Sequence, residues 1–392
     1  MKRIMSVFLI LTSIVLFGCE NSIKSGKIDD RNTEPSDRDI QEEDADIPET
    51  EEDLDTPEVN DEDESSDANV DADAPENSDD DEVFDDEPLP CNENDDPVFC
   101  LGEYNVNIFD VAAGTDGAPR NFRVYEPIGA EGKIPVVHFL HGFMYRYYYY
   151  DNFLMHLSSH GFIVVSSQSE HKMVKGDTTT QEAVKVAAFL NWLKENLQSK
   201  VTVTADFENF GVSGHSRGGK VTNRVLNSNP AVAKSFFGVD PVDSAPPFSG
   251  FVGDDDPGSL DEPVKFTGET MFLGTEKGPT NQLKGDSLTC APEGGNSVNF
   301  YASYPSPSHH IIAAGVGHAD VVDFEDLKAC NVYCSLCYGS NDNGMKAMFK
   351  TYTGGLMTAF FNSTLKGETK YEELLNNPSE AYPFLATVVE HK

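Results

Sequence analysis

The chain has 392 residues and a formal net charge of −39, from 67 acidic and 28 basic side chains. Such a balance excludes the basic surfaces that nucleic-acid partners require. The charge is uneven: residues 20–90 hold 31 acidic against 4 basic side chains, and residues 91–392 hold 36 against 22.

The basic start Met1-Lys2-Arg3 precedes an apolar run from Ile4 to Phe17. That run is too short to span a membrane comfortably and suits a signal-peptide core. It ends in Leu16-Phe17-Gly18-Cys19, which resembles a bacterial lipoprotein box. The resemblance implies a signal peptide over residues 1–18, lipidation at Cys19, and an exported protein anchored in the cell envelope. Residues 19–90 read as an acidic, disordered linker, because they hold too little apolar surface to offset the entropy of ordering. No glycine-bearing calcium loop interrupts it.

Residues 91–392 suffice for one large α/β domain. Beyond Cys19 they hold the remaining six cysteines: Cys91, Cys100, Cys290, Cys330, Cys334 and Cys337. An even number in an exported chain points to disulfides. Cys91 and Cys100 bracket a short loop and are candidates for local pairing. The Cys330, Cys334 and Cys337 spacing lacks a nearby histidine, so it reads as disulfide chemistry and no metal is expected.

In chain order, Tyr104 to Val111 and Asn121 to Glu126 alternate apolar with polar residues and predict antiparallel edge strands. Val136 to Leu140 is a continuous apolar strand running into His141-Gly142-Phe143. Five tyrosines follow within Tyr145 to Tyr150; they read either as an aromatic wall, with Tyr145, Tyr147 and Tyr148 against an apolar substrate, or as a surface loop with partial packing. A helix over Asp151 to His160 ends at Gly161. A buried strand follows at Phe162 to Val165, then an amphipathic helix over Thr179 to Gln198.

Phe210 to Gly219 then reads as strand, sharp turn and the start of a helix over Lys220 to Asn227. Within it, Gly214-His215-Ser216-Arg217-Gly218 fits G-x-S-x-G, a nucleophile elbow that presents a strained serine above a helix N-terminus. Further strands are predicted at Ala233 to Val239, Glu269 to Gly274 and His310 onward, with a closing helix over Thr353 to Leu365. Apolar strands alternating with helices predict a mostly parallel sheet covered on both faces.

An elbow serine needs a base and a group that orients it. His318 stands in a loop after the last predicted strand, whereas His309 and His310 are expected before that strand. Asp240 is the first polar residue after its strand; Asp243 and Glu276 compete less well, one lying further along its loop and the other followed by lysine. The oxyanion donors fall to the amides of Phe143 and Arg217, the residue after the serine.

Phe139-Leu140-His141-Gly142-Phe143, Ser159-His160-Gly161-Phe162, Gly214-His215-Ser216-Arg217-Gly218-Gly219, Gly238-Val239-Asp240-Pro241 and Gly317-His318-Ala319-Asp320 together resemble the chlorophyllase branch of the α/β-hydrolases. The resemblance implies a serine esterase of α/β-hydrolase fold that needs no metal or cofactor; a monomer is expected. It implies Ser216, Asp240 and His318 as triad, and cleavage of the phytyl ester of chlorophyll or other lipophilic esters. A short-chain lipid esterase similar to platelet-activating-factor acetylhydrolase and a polyester hydrolase are alternatives. A non-catalytic surface-binding lipoprotein is the alternative from another class.

Overall fold

The computed structural model describes residues 91, 95–169, 176–243, 257–280, 289–323, 337, 339–378 and 386–392. The signal segment, Cys19, the acidic linker, Cys330 and Cys334 lie outside the described residues. The chain divides into two units, residues 1–79 and 80–392, and every described residue belongs to the second.

The strands are β1 (Val106–Val111), β2 (Phe122–Pro127), β3 (Lys133–Leu140), β4 (Ile163–Ser167), β5 (Thr204–His215), β6 (Ser235–Val239), β7 (Glu269–Thr275), β8 (Ser308–Ala313) and β9 (Ala386–His391). They form one sheet in the order β1-β2-β4-β3-β5-β6-β7-β8-β9. The six strands from β4 to β8 run parallel, and antiparallel pairs close both edges. The principal helices are α1 (Asp151–Ser159), α2 (Thr179–Asn196), α3 (Arg217–Ser228), α4 (Ser297–Ser303) and α5 (Asn343–Lys366), followed by the short α6 (Glu372–Asn376).

The central strands are buried over most of their length because both faces are covered. On β3, Val137 and Phe139 pack with Phe153 and Leu157 of α1 and Leu356 and Phe360 of α5. Its alternate residues Val136 and Leu140 pack with Phe189 and Leu193 of α2 and Val221 and Val225 of α3. This is the α/β-hydrolase arrangement expected from the sequence. α1 ends where Gly161 adopts φ 80°, and α5 ends at Gly367 with φ 71°.

Among the described residues, two disulfides are formed. Cys91 pairs with Cys100, as its local spacing suggested, and Cys290 pairs with Cys337. The segment around the Cys100 end of the first bridge is docked by His156 of α1 and His160 at its C-cap: His156 Nε2 lies 2.8 Å from the Val98 carbonyl and His160 Nε2 2.8 Å from that of Cys100.

Several expectations need correction. The elbow helix begins at Arg217, directly after the serine, and α5 begins ten residues before Thr353. His309 and His310 lie inside β8, not before it. A ninth strand, β9, pairs outside β8, so β8 is not the last. The tyrosines divide. Tyr145, Tyr149 and Tyr150 enter the core, and the exposed Tyr148 lies under the guanidinium of Arg123 on β2 and edge-on to Tyr147. They therefore do not form one continuous wall.

Candidate active site

The elbow is built by close approach of backbones. A Cβ on Gly218 would stand 2.1 Å from the Leu140 carbonyl oxygen of β3, so no side chain fits there. Ser216 adopts φ 55° and ψ −126°, outside the regions ordinary residues prefer. Backbone bonds on both sides hold it: Ser216 N–H donates to Val239 O at 3.2 Å, and Val242 N–H donates to Ser216 O at 3.2 Å. The elbow is thus tied reciprocally to the exit of β6, and Asp240 stands between those two anchors.

Asp240 is itself held at φ 36°, with its amide donating to Leu273 O at 2.6 Å. Its buried carboxylate accepts the Thr275 hydroxyl at 2.8 Å and the Thr275 amide at 3.3 Å. Its Oδ2 also lies 2.7 Å from His318 Nδ1. On the other side of the ring, His318 Nε2 lies 2.8 Å from Ser216 Oγ. A carboxylate only accepts, so His318 carries its proton on Nδ1 and presents Nε2 as acceptor to the Ser216 hydroxyl. All three side chains are largely removed from water: Ser216 is 7% exposed, Asp240 2% and His318 3%.

The competing acids are occupied elsewhere. The Asp243 carboxylate accepts from the amide and hydroxyl of Ser259 and from the Leu260 amide. Glu276 accepts from the Gly315 amide at 2.7 Å.

The loop after β3 passes directly over the serine. A Cβ on Gly142 would lie 3.1 Å from Ser216 Cβ, 2.9 Å from His215 Nδ1 and 2.8 Å from a ring carbon of Tyr145. Only glycine allows this approach, and it brings the residue before Phe143 against Ser216. His141 shapes the loop. Its Nε2 accepts from the Ser169 amide at 2.7 Å, which leaves Nδ1 to donate to Gly142 O at 2.8 Å. Burial holds this imidazole neutral, with its pKa lowered to about 4.

Arg217 places its amide in the first turn of α3, where N–H groups lack helical acceptors. Its guanidinium has partners on α2 and the segment before it. It pairs with the fully buried Glu182 of α2 and donates to Asp177 O at 2.9 Å.

Sequence reasoning missed three residues with a part in this site: Thr275 on the acid, and His215 with Tyr150 beside the base. His215 is visible as part of the elbow, but its partners are set only by the fold. Among the described residues, no group of three or more His, Cys, Asp or Glu side chains is placed to hold a metal ion.

The Chlorophyllase family model matches residues 94–392, a span that takes in every element from β1 to β9. Chlorophyllase-2 of Arabidopsis thaliana is 30% identical over 272 residues, covering 64% of this chain and 80% of that protein. Chlorophyllase-1 of the same plant is 30% identical over 260 residues, covering 64% and 78%. The chloroplastic Chlorophyllase-1 of Citrus sinensis is 27% identical over 293 residues, covering 73% and 86%. The chain belongs to the chlorophyllase family.

Proposed function

We propose that the protein is a serine carboxylic-ester hydrolase acting on lipophilic esters through Ser216, His318 and Asp240. The observation that carries this reading is the single imidazole of His318, 2.7 Å from Asp240 and 2.8 Å from Ser216. His318 Nε2 takes the hydroxyl proton as Ser216 Oγ attacks the ester carbonyl. Negative charge develops on the carbonyl oxygen and is stabilised by the amides of Phe143 and Arg217. Asp240 holds the ring in the required tautomer and stabilises the imidazolium. The imidazolium returns its proton to the departing alcohol oxygen as the carbon–oxygen bond breaks. Water then attacks the acyl-enzyme with His318 again as base, releasing the acid and restoring Ser216.

The apolar character of the substrate rests on family membership, because the relatives are named chlorophyllases. The N-terminal run and Cys19 support an exported, lipid-anchored form. The test uses the full chain with p-nitrophenyl esters of rising chain length and with chlorophyll. Hydrolysis that is lost in Ser216→Ala is the expected result. Activity in that variant within tenfold of the parent would sink the assignment.

A further inference from the structure

His215 sits within the elbow, fully buried, yet takes no part in the chemistry proposed above. Its two ring nitrogens are engaged on opposite sides. Nε2 lies 3.0 Å from the main-chain carbonyl of His318, and Nδ1 lies 2.9 Å from the Tyr150 hydroxyl. A carbonyl can only accept, so Nε2 carries the proton and donates. Nδ1 must then accept, and the Tyr150 hydroxyl donates to it. The same hydroxyl oxygen accepts the Gly142 amide at 3.1 Å.

The bonds therefore run in one sense: Gly142 N–H to the Tyr150 oxygen, Tyr150 O–H to His215 Nδ1, and His215 Nε2–H to the His318 carbonyl. The path starts one residue before Phe143, crosses the elbow one residue before Ser216, and ends on the backbone of the base. The loops after β3 and β8 meet in it at the last residue of β5. Successive bonds of one sense polarise and strengthen one another in a dry interior.

We propose that His215 and Tyr150 are positioning residues that fix the oxyanion loop and the His318 loop relative to Ser216. The inference rests on the reading that Ser216 and His318 perform the hydrolysis. Both groups are kept in the required protonation state. Burial, and then the neighbouring charge of His318, hold the His215 pKa well below its usual value, so the ring stays neutral. Burial holds the Tyr150 phenol well above its usual value, so it keeps its proton. Neutrality matters because the two imidazole rings lie only 4.7 Å apart. An imidazolium at His215 would oppose the positive charge that His318 acquires in the transition state. The relay keeps that neighbour uncharged while using it as a strut. Packing supports the strut: Tyr150 lies 4.8 Å from the Phe139 ring, and Tyr145 lies 5.6 Å from the His215 ring.

The experiment compares Tyr150→Phe, His215→Phe, the double variant and Ser216→Ala in the full chain, on a soluble p-nitrophenyl ester. Tyr150→Phe keeps the ring and removes only the hydroxyl shared by Gly142 and His215. Small displacements of reacting groups cost up to about a hundredfold in rate. The expected result is a fall in kcat of about tenfold to a hundredfold with KM nearly unchanged. The double variant is expected to be no worse than the poorer single one, since both cut the same path. If His215→Phe does not fold, Tyr150→Phe carries the test alone, judged by kcat per folded molecule. A Tyr150→Phe enzyme with parental kcat, or strictly additive losses in the double variant, overturns the proposal while Ser216→Ala remains inactive. Persistent hydrolysis in Ser216→Ala overturns the esterase reading itself, and the relay with it.

Discussion

Thr275, the last residue of β7, donates its hydroxyl to the Asp240 carboxylate at 2.8 Å, while the same carboxylate holds His318 at 2.7 Å. The acid thus leaves one strand and is braced by the next. Asp240→Asn should lower kcat on the order of 10²–10⁴-fold, because an amide no longer enforces the tautomer. Thr275→Val should lower kcat by about tenfold, through looser placement of the carboxylate. Glu276→Gln should change it less than about tenfold, since Glu276 serves the Gly315 amide. Steady-state kinetics on a soluble ester check all three.

The fully buried Glu182 should matter for stability more than for turnover. Removing one partner of a buried ion pair typically costs about 3–5 kcal/mol, because it strands the other charge. Glu182→Ala should therefore shift the urea midpoint downward by that order, although Asp177 O still accepts from Arg217. Arg217→Lys should fail to restore the parental midpoint in the otherwise intact chain, because lysine cannot serve both acceptors with one fork.

The disulfide between Cys290 and Cys337 spans the two loops that flank the acid and the base. Next to Cys290, the Ala291 amide donates to Gly278 O, and Gly278 lies against the Asp240 carboxylate. Beyond Cys337, Ser340 and Gly317 both donate to Asp320 Oδ2, at 2.7 Å each, and Gly317 precedes His318. Closing a loop of 47 residues constrains the unfolded chain by about 3–4 kcal/mol. Cys290→Ser should lower the melting temperature accordingly. Its kcat should fall by less than about tenfold, measured where the variant remains folded.

Acid should destabilise the fold, and the sign follows from its histidines. Burial lowers His138 and His156 to about 3 and His141 to about 4, against 6.5 in an unfolded chain. The unfolded state therefore binds protons that the folded state refuses. The stability these groups allow is complete above pH 6.5 and is lost as pH falls from there toward their folded values. Each contributes a slope of about 1.4 kcal/mol per pH unit. Asp323 opposes them. Burial raises it to about 6 from 3.8, so between those values the folded state gains a proton first. Among these four groups, one carboxylate against three histidines leaves a net loss of roughly 3 kcal/mol per pH unit between pH 6 and 4. Thermal melts at pH 8, 6.5 and 5 should show the fall, and His138→Gln should make it shallower.

The centre of the fold is written locally and its margins are not. Val136 to Leu140, Phe162 to Val165 and Phe236 to Val239 are apolar runs that only doubly covered strands require, so their identity follows from composition. The elbow is equally plain as a motif, although only Gly214 answers to backbone a few residues away, while Gly218 answers to Leu140 on β3. β9 is different: its residues are mostly exposed, and it is fixed by ladder bonds to β8 and by Glu390 3.1 Å from His310. No short-range pattern encodes such pairing. The tyrosine run has neither a two-residue nor a helical period, so nothing in it distinguishes the buried Tyr150 from the exposed Tyr148. The Thr275 brace depends on β6 and β7 lying side by side, a fact of topology and not of spacing.

With Asp240 at the end of β6 proposed as the acid, the described part of the connection from β7 to β8 works as a scaffold for it: Thr275 bonds the carboxylate, Gly278 lies against it, and Cys290 ties the connection to Cys337. A designer seeking a different range of alcohols or acyl chains would hold those three positions fixed and place variation elsewhere.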